Sequence, residues 1–516
     1  MACTQSNVVE NAMNKTKVSS IVIVGGGSAG WMTAIYLNKY FNDVQRHVTI
    51  TVIESPDIGI IGVGEATVTS IRLFFAAMGI DEFELMNETN ATFKEGVMFR
   101  NWKKPVDGHV HEYFHPFEPQ IQGGRLDIST CWFLSERRLK QRYDEAVCLS
   151  SHMLKAHKGP KSKNCRHYGG IVPYGYHIDA TLMSRFLRRK AVEAGITHIE
   201  ATVNNVLSEK DHIQFVETNC GRYTADIFVD CTGFQGLLIE KLRNNNWVSF
   251  EDALPCNKAV AIQKPYTDDT NPRPYTLATA LSNGWAWQIG LTNREGLGYV
   301  YDGNRISPDE AEKELREFAE VEDKTIHAKH LDVKVGCREE FWIGNCLAIG
   351  LSGGFIEPLE STGLHVINIG AKLAATHLST AHITPSVRAS YSRAMSGVYA
   401  DLKQFIVLHY CLTDRDDTEF WRQASQTAKC CPGLTEKLQL WKHKVCEYLD
   451  LAGGFATTFT DENYRYVLYG MGHHPELSLE LDAAEEEVVF SHVDMLVEQA
   501  VSAAMIHQEY LVKIKR

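Results

Sequence analysis

Apolar positions in the first half of the chain alternate between short continuous runs and helical spacing. "SIVIVGGG" is an apolar strand running into glycines, and "SAGWMTAIYLNKYF" continues as an amphipathic helix. "HVTITVIES" reads as a second strand. "HIEATVNNVLSE", "IQFVETN", "DIFVDCTG" and the long "YTLATALSNGWAWQIGL" are strand-like as well. After "CLAIGLSGGFIEPLESTG" the period turns helical, in "LHVINIGAKLAATHL" and "SVRASYSRAMSGVYADLKQFIVLHYCL". Alternating strands and helices followed by helices alone predict an α/β fold with a mostly helical C-terminal part. The expected division is a loose tail over residues 1–17, a main α/β unit with an interleaved second sheet over 18–380, and a helical part over 381–516. The boundary near Thr380–Pro385 reads as tight packing rather than a free linker. No internal repeat or low-complexity tract interrupts the pattern.

The glycines after the first strand give a Rossmann-like nucleotide fingerprint. Gly25, Gly27 and Gly30 stand in GxGxxG spacing, with Gly26, Ser28 and Ala29 between them. The first glycine permits the tight turn, the second lets backbone approach a pyrophosphate, and the third lets helix and strand pack closely. The helix start then offers unpaired N–H groups to phosphate. Glu54, ending the next strand, stands where an acid binds a ribose hydroxyl. The chain shows one such fingerprint, which favours FAD reduced elsewhere over a flavin reduced through a second, nicotinamide-binding unit. "DIFVDCTGFQG" ends in a tight Thr232-Gly233 turn suited to closing over a dinucleotide. In "IEPLESTGL", Ser361 or Thr362 is expected to cap the next helix, whose first N–H groups suit a small anion.

Composition narrows the choice. The 516 residues are 44% hydrophobic and 22% charged, which suits an ordinary globular protein with a large core. A net charge of −12 argues against nucleic acid as a partner. No apolar run is long enough for a membrane span, and the start lacks the apolar stretch of a secretory signal. The thirteen cysteines are odd in number and scattered, so neither a disulfide framework nor a metal site is expected. Free thiols point to the cytoplasm.

Seven motifs together are more specific than any one of them. "GGGSAGW", "GVGEAT", "NATFKEGVMFRNW", "YFHPF", "FVDCTGFQGLLI", "GWAWQIGL" and "IEPLESTGL" occur in the order and spacing of the flavin-dependent tryptophan halogenases, and the chain resembles that family over nearly its whole length. The resemblance implies an FAD-binding fold of the glutathione-reductase or aromatic-hydroxylase kind. It implies that reduced FAD, oxygen and chloride or bromide yield a flavin hydroperoxide and then hypohalous acid, confined in a tunnel. Lys94 matches the lysine that receives the oxidant beside the substrate, and Glu360 the facing glutamate. Thr362 and Gly363 match the halide position. Ala66, Leu351 and Leu364 match flavin contacts, and Val203 an adenine-side contact. Trp285 and Trp287 match the tunnel wall that keeps the substrate off the flavin. His115, Phe117 and Phe459 match rings around an indole-like substrate. The resemblance further implies a separate NAD(P)H flavin reductase and a small aromatic substrate, and is compatible with a homodimer.

The sequence also departs from the family. Gly290 replaces the proline of the paired-tryptophan motif, and Val68-Thr69 follow "GEAT" where many members have Ile-Pro. "EYLDLAGGFATTFTDENYRYVLYGMG" has no counterpart of the glutamate that grips the substrate ammonium, which disfavours free tryptophan. A flavin-dependent aromatic hydroxylase and a non-catalytic flavin-binding protein are the alternatives at this stage.

Overall fold

The computed structural model describes residues 18–44, 47–59, 64–122, 126–243, 246–266, 271–451 and 458–515. The expected tail over 1–17 and the first two residues of "GVGEAT" lie outside the described residues, as does 452–457.

The first strand, Ser20–Val24, sits between Thr49–Glu54 and Ile227–Asp230, parallel to both. Thr197–Glu200 and Cys346–Ala348 extend this sheet in parallel, and the short Trp342–Ile343 closes its edge antiparallel. Ile21 and Ile23 point into the main core while Val22 and Val24 enter a second cluster, so the strand is covered on both faces. Burial on both sides is why it reads as an unbroken apolar run.

A seven-stranded sheet stands beside it, in the order Lys329–Asp332, Lys258–Pro265, Arg294–Tyr301, Gly284–Gly290, Thr276–Leu281, Gly96–Arg100 and Glu112–Pro116. The stretch "YTLATALSNGWAWQIGL", read as one strand, is a hairpin. Ala280 faces Trp285 and Ala278 faces Trp287 across it, with Ser282-Asn283 at the turn. Hydrophobicity runs through the turn on both sides, so periodicity hides the break. Glu314 marks it, accepting from the Ser282 N–H and hydroxyl. A third, small antiparallel sheet joins Glu65–Ala66, Gly175–Ile178 and Thr92–Lys94.

Two helices complete the surroundings of the site. Gly363–Leu378 packs on Ser28–Asn42, the helix that follows the glycine loop. Pro385–Cys411 begins with Thr384 accepting from the Val387 N–H and with proline in its first turn. Its Met395, Val398, Tyr399, Leu402 and Phe405 enter the same core as the sheets. Near the C-terminus, Ala504–Ile506 returns to pair with Lys158–Ser162. No described helix is long and apolar enough to cross a membrane.

Gly290 lies in the ladder opposite Glu295 rather than in a loose turn. A Cβ at this position would stand 2.8 Å from Pro272 Cβ and 3.1 Å from Tyr266 Oη. Pro272 therefore occupies the space a side chain would need. Restoring the family residue by Gly290→Pro, or placing Gly290→Ala, is expected to destabilise the protein by about 1–3 kcal/mol through overpacking. Denaturant titration of both variants measures this; equal or higher stability would mean that Pro272 yields.

Candidate active site

The glycine loop has the shape of a nucleotide cradle. Gly25 has φ +112°, and a Cβ there would stand 2.2 Å from the Cys231 carbonyl oxygen. A Cβ on Gly30 would stand 1.8 Å from the Gly25 carbonyl oxygen, whereas one on Gly27 would meet nothing within 4 Å. Strand and helix are thus pressed together at two glycines and open at the third, where backbone can approach a ligand. No side chain caps the helix at Gly27, so its first N–H groups have no side-chain partner. Glu54 lies against Gly26 and 3.1 Å from His198 Nε2. Asp230 accepts from the Thr232 N–H and hydroxyl and from the Leu238 and Ile239 N–H groups, which fixes the Thr232-Gly233 turn. Gly350, beside Leu351, packs against Ala29, so a Cβ there would stand 2.7 Å from that of Ala29. Leu364 is buried in the first turn of its helix. Ala66 pairs with His177, and Val203 opens the Val203–Glu209 strand.

Lys94 ends its strand fully buried. Its Nζ donates to Ser361 Oγ at 2.8 Å and to the Thr67 carbonyl at 3.2 Å, and lies 4.8 Å from the centre of the Phe117 ring. Burial lowers the amine from 10.5 to about 7, against the opposing pull of the Glu360 charge. Two acceptors match the two N–H bonds of a neutral amine and leave its lone pair free. Ser361 reaches this position from φ +60°, a strained conformation for a side-chain-bearing residue. The expected helix cap is therefore not made. Ser361 turns to Lys94, Thr362 Oγ1 is buried without a partner among the described residues, and the helix starts at Gly363 with no side-chain cap.

Glu360 is held by two histidines. Its carboxylate accepts from His115 Nδ1 at 2.9 and 3.0 Å and from His409 Nε2 at 2.8 Å. Asn463 Oδ1 already accepts from the Thr460 N–H, so its Nδ2 donates to His115 Nε2 at 3.0 Å. His115 then carries its proton on Nδ1, toward Glu360. His409 Nδ1 faces the Phe405 carbonyl at 2.9 Å, so acceptors lie at both its nitrogens. Burial alone would raise the Glu360 carboxyl; His115 and His409 outweigh it and hold it at about 2.

Trp285 and Trp287 project from the same face of their strand, with ring centres 6.2 Å apart. Trp285 Nε1 donates to Glu357 Oε2 at 2.7 Å, while Trp287 Nε1 is buried without a partner. Phe459 stacks on Phe405 at 3.9 Å and lies 6.1 Å from His115, tilted by 50°. The half-buried Phe117 is the ring facing Lys94.

Sequence reasoning missed Ser361 as partner of Lys94, and missed Glu357, His409, Tyr410 and Asn463 altogether. "FIVLHYCL" shows only a histidine and a tyrosine on an apolar helix. Asn463 stands four residues after Phe459, a helical spacing that was available as a signal. Among the described residues, no cluster of histidine, cysteine or acidic side chains is arranged to hold a metal.

This fold and cradle define an α/β protein of the dinucleotide-binding class. The sequence model described as tryptophan halogenase matches residues 20–487, and the chain belongs to that family of flavin-dependent halogenases. It is 37% identical to the tryptophan 6-halogenase SttH of Streptomyces toxytricini, over 83% of this chain and 85% of that one. The tryptophan halogenase structure from Shewanella frigidimarina superposes with a TM-score of 0.90, at 30% identity and 98% coverage of both chains. Tar14, a tryptophan C-6 chlorinase from taromycin biosynthesis, gives 0.87 at 34% identity, over 96% of this chain and all of that one.

The lowered amine has a consequence for stability. Unfolded, Lys94 holds its proton up to about 10.5; folded, it releases it near 7. The native state is therefore penalised as pH falls from the higher value to the lower, by on the order of a few kcal/mol. Lys94→Met is expected to melt above the parent at pH 7, and the advantage should shrink toward pH 10. Thermal melts across that window check it; a pH-independent difference would show that the amine is not titrating there.

Proposed function

We propose that the protein halogenates an electron-rich, indole-like ring with reduced FAD, oxygen and chloride or bromide, and that Lys94 directs the halogen. The buried Lys94 amine, with two acceptors and a free third direction beside Phe117, carries this reading. Gly25 to Gly30 fit the pyrophosphate, Glu54 the ribose and Val203 the adenine side, with Ala66, Leu351 and Leu364 toward the flavin ring. When bound, reduced FAD would supply the two electrons that take oxygen to the peroxide level, which is the oxidising power that turns chloride or bromide into hypohalous acid. Thr362 and Gly363 offer the halide an uncapped helix start and an unpartnered hydroxyl. Trp285 and Trp287 wall the oxidant's path.

The amine receives the oxidant by hydrogen bonding it or as a haloamine, and aims the halogen. The ionised Glu360 stabilises the positive charge that develops on the ring. At about 2 it is a weak base, but the proton lost from a halogenated ring cation is far more acidic still. The single glycine fingerprint supports reduction of the flavin by a separate NAD(P)H flavin reductase.

Supplied with reduced FAD, oxygen and bromide, the protein is expected to give products from simple indoles that carry a bromine isotope doublet. Lys94→Met and Lys94→Arg should both lose this activity by about 10²–10⁴-fold while flavin oxidation continues. Bromination unchanged in Lys94→Met would overturn the role of the amine. The missing ammonium partner predicts that kcat/KM for simple indoles exceeds that for free L-tryptophan by at least about tenfold. Competition between the two substrates, read by product mass, decides that point.

A further inference from the structure

Glu357 is fully buried, and both of its donors fall on one oxygen. Trp285 Nε1 lies 2.7 Å and Tyr410 Oη 2.6 Å from Oε2, while Oε1 is buried without a partner among the described residues. Tyr410 follows His409 in the last turn of the Pro385–Cys411 helix. One helical turn thus grips both Glu357 and Glu360, on either side of Pro358-Leu359.

From this arrangement we propose that Glu357 is a positioning residue: anchored by Tyr410, it fixes the Trp285 indole and so closes the wall between the oxidant's source and Lys94. The proposal rests on the reading of Trp285 as tunnel wall. An indole rotates freely about its last side-chain bond unless packing or its N–H holds it, and here that N–H has a single partner, Glu357. Trp287 Nε1 has none, so its ring depends on packing against Trp285 and on Gly298, whose missing side chain makes room for it. Releasing Trp285 would therefore loosen both rings. The side chain is also suited to staying neutral. Burial raises its carboxyl to about 7, with Tyr410 and Trp285 pulling the other way, and the buried Cys256 thiol lies 3.7 Å from Tyr410 Oη. A protonated Glu357 accepts both donors on Oε2 and carries its own hydrogen on Oε1. Glutamine keeps the same acceptor oxygen, with an NH2 group in place of the acid O–H.

The test compares Glu357→Gln, Glu357→Leu, Tyr410→Phe and Trp285→Phe, and reads halogenated indole formed per reduced FAD oxidised. Glu357→Leu and Trp285→Phe should lose about tenfold or more of this yield, with the balance appearing as free oxidant; Tyr410→Phe should fall between them and the parent. Glu357→Gln should stay within about twofold of the parent, since it preserves the acceptor. A second readout needs no flavin. The near-UV indole absorbance of the unliganded protein is titrated across neutrality, where ionisation of Glu357 beside Trp285 should give a step that vanishes in Glu357→Gln and in Trp285→Phe. Loss in Glu357→Gln equal to that in Glu357→Leu, or an indole step that survives the glutamine substitution, would overturn the positioning role. Full yield in Trp285→Phe would instead overturn the wall reading beneath it. Should Glu357→Leu fail to fold, the glutamine variant and the indole titration still decide.

Discussion

A lysine amine held in an apolar interior is the constraint around which this site is organised. In water an ammonium group has its hydrogens solvated; Lys94 has a serine hydroxyl, one carbonyl and a ring face instead. Those partners come from three separate segments. Thr67 follows the Glu65–Ala66 strand, Ser361 precedes the Gly363–Leu378 helix, and Phe117 follows the Glu112–Pro116 strand. Removing charge from water costs far more than two hydrogen bonds return, so the amine shifts toward its neutral form. An amine with a free lone pair is a nucleophile toward positive halogen, whereas an exposed ammonium is not. Burial is thus the source of the neutral amine that the proposed chemistry uses, as well as its cost.

The two glutamates three residues apart show how partners alone set opposite charge states. Glu360 faces two histidines that hydrogen-bond its carboxylate, and is held at about 2. Glu357 faces only neutral donors, an indole N–H and a phenol O–H, both on one oxygen, and rises to about 7. Both are buried to the same extent, so burial does not separate them. The proposed mechanism uses both: a fixed negative charge where positive charge would develop on the ring, and a carboxyl that favours neutrality behind the proposed wall. One helix turn supplies a partner to each, which ties the two states to one rigid element.

Much of the fold was legible because local rules agreed: a both-face-buried strand, glycines at two close approaches, and a change of period before the helices. The hairpin at Ser282-Asn283 was not, since apolar residues on both arms carry the pattern through the turn. Lys94, Glu360 and the tryptophan pair were legible through a resemblance, because an isolated lysine between Phe93 and Glu95 carries no signal of burial. The partners that give these residues their properties were hidden for a plainer reason. His409 and Tyr410 lie 49 and 53 residues from the glutamates they hold, and Ser361 lies 267 from Lys94. Such pairings depend on three-dimensional packing, and a helix with apolar neighbours gives them no local trace. Ser361 misled in a further way, since a serine before a helix is ordinarily its cap, and here the left-handed backbone turns it elsewhere.

The same interior answers a difficulty raised by the proposed oxidant. Thiols are the most readily oxidised groups in a protein, and the thiolate is the reactive form. Cys148, Cys231, Cys256 and Cys346 are all buried, and burial pushes each thiol well above its usual range, so they remain protonated at working pH. Cys256 is the telling one, because Tyr410, Glu357 and Trp285 form a continuous hydrogen-bonded chain from its sulfur to the indole. Protonation slows its reaction but does not abolish it. On the proposed reading, what protects Cys256 is the closed indole at the other end of that chain, so an anchor that confines the oxidant would also shield the thiol behind it.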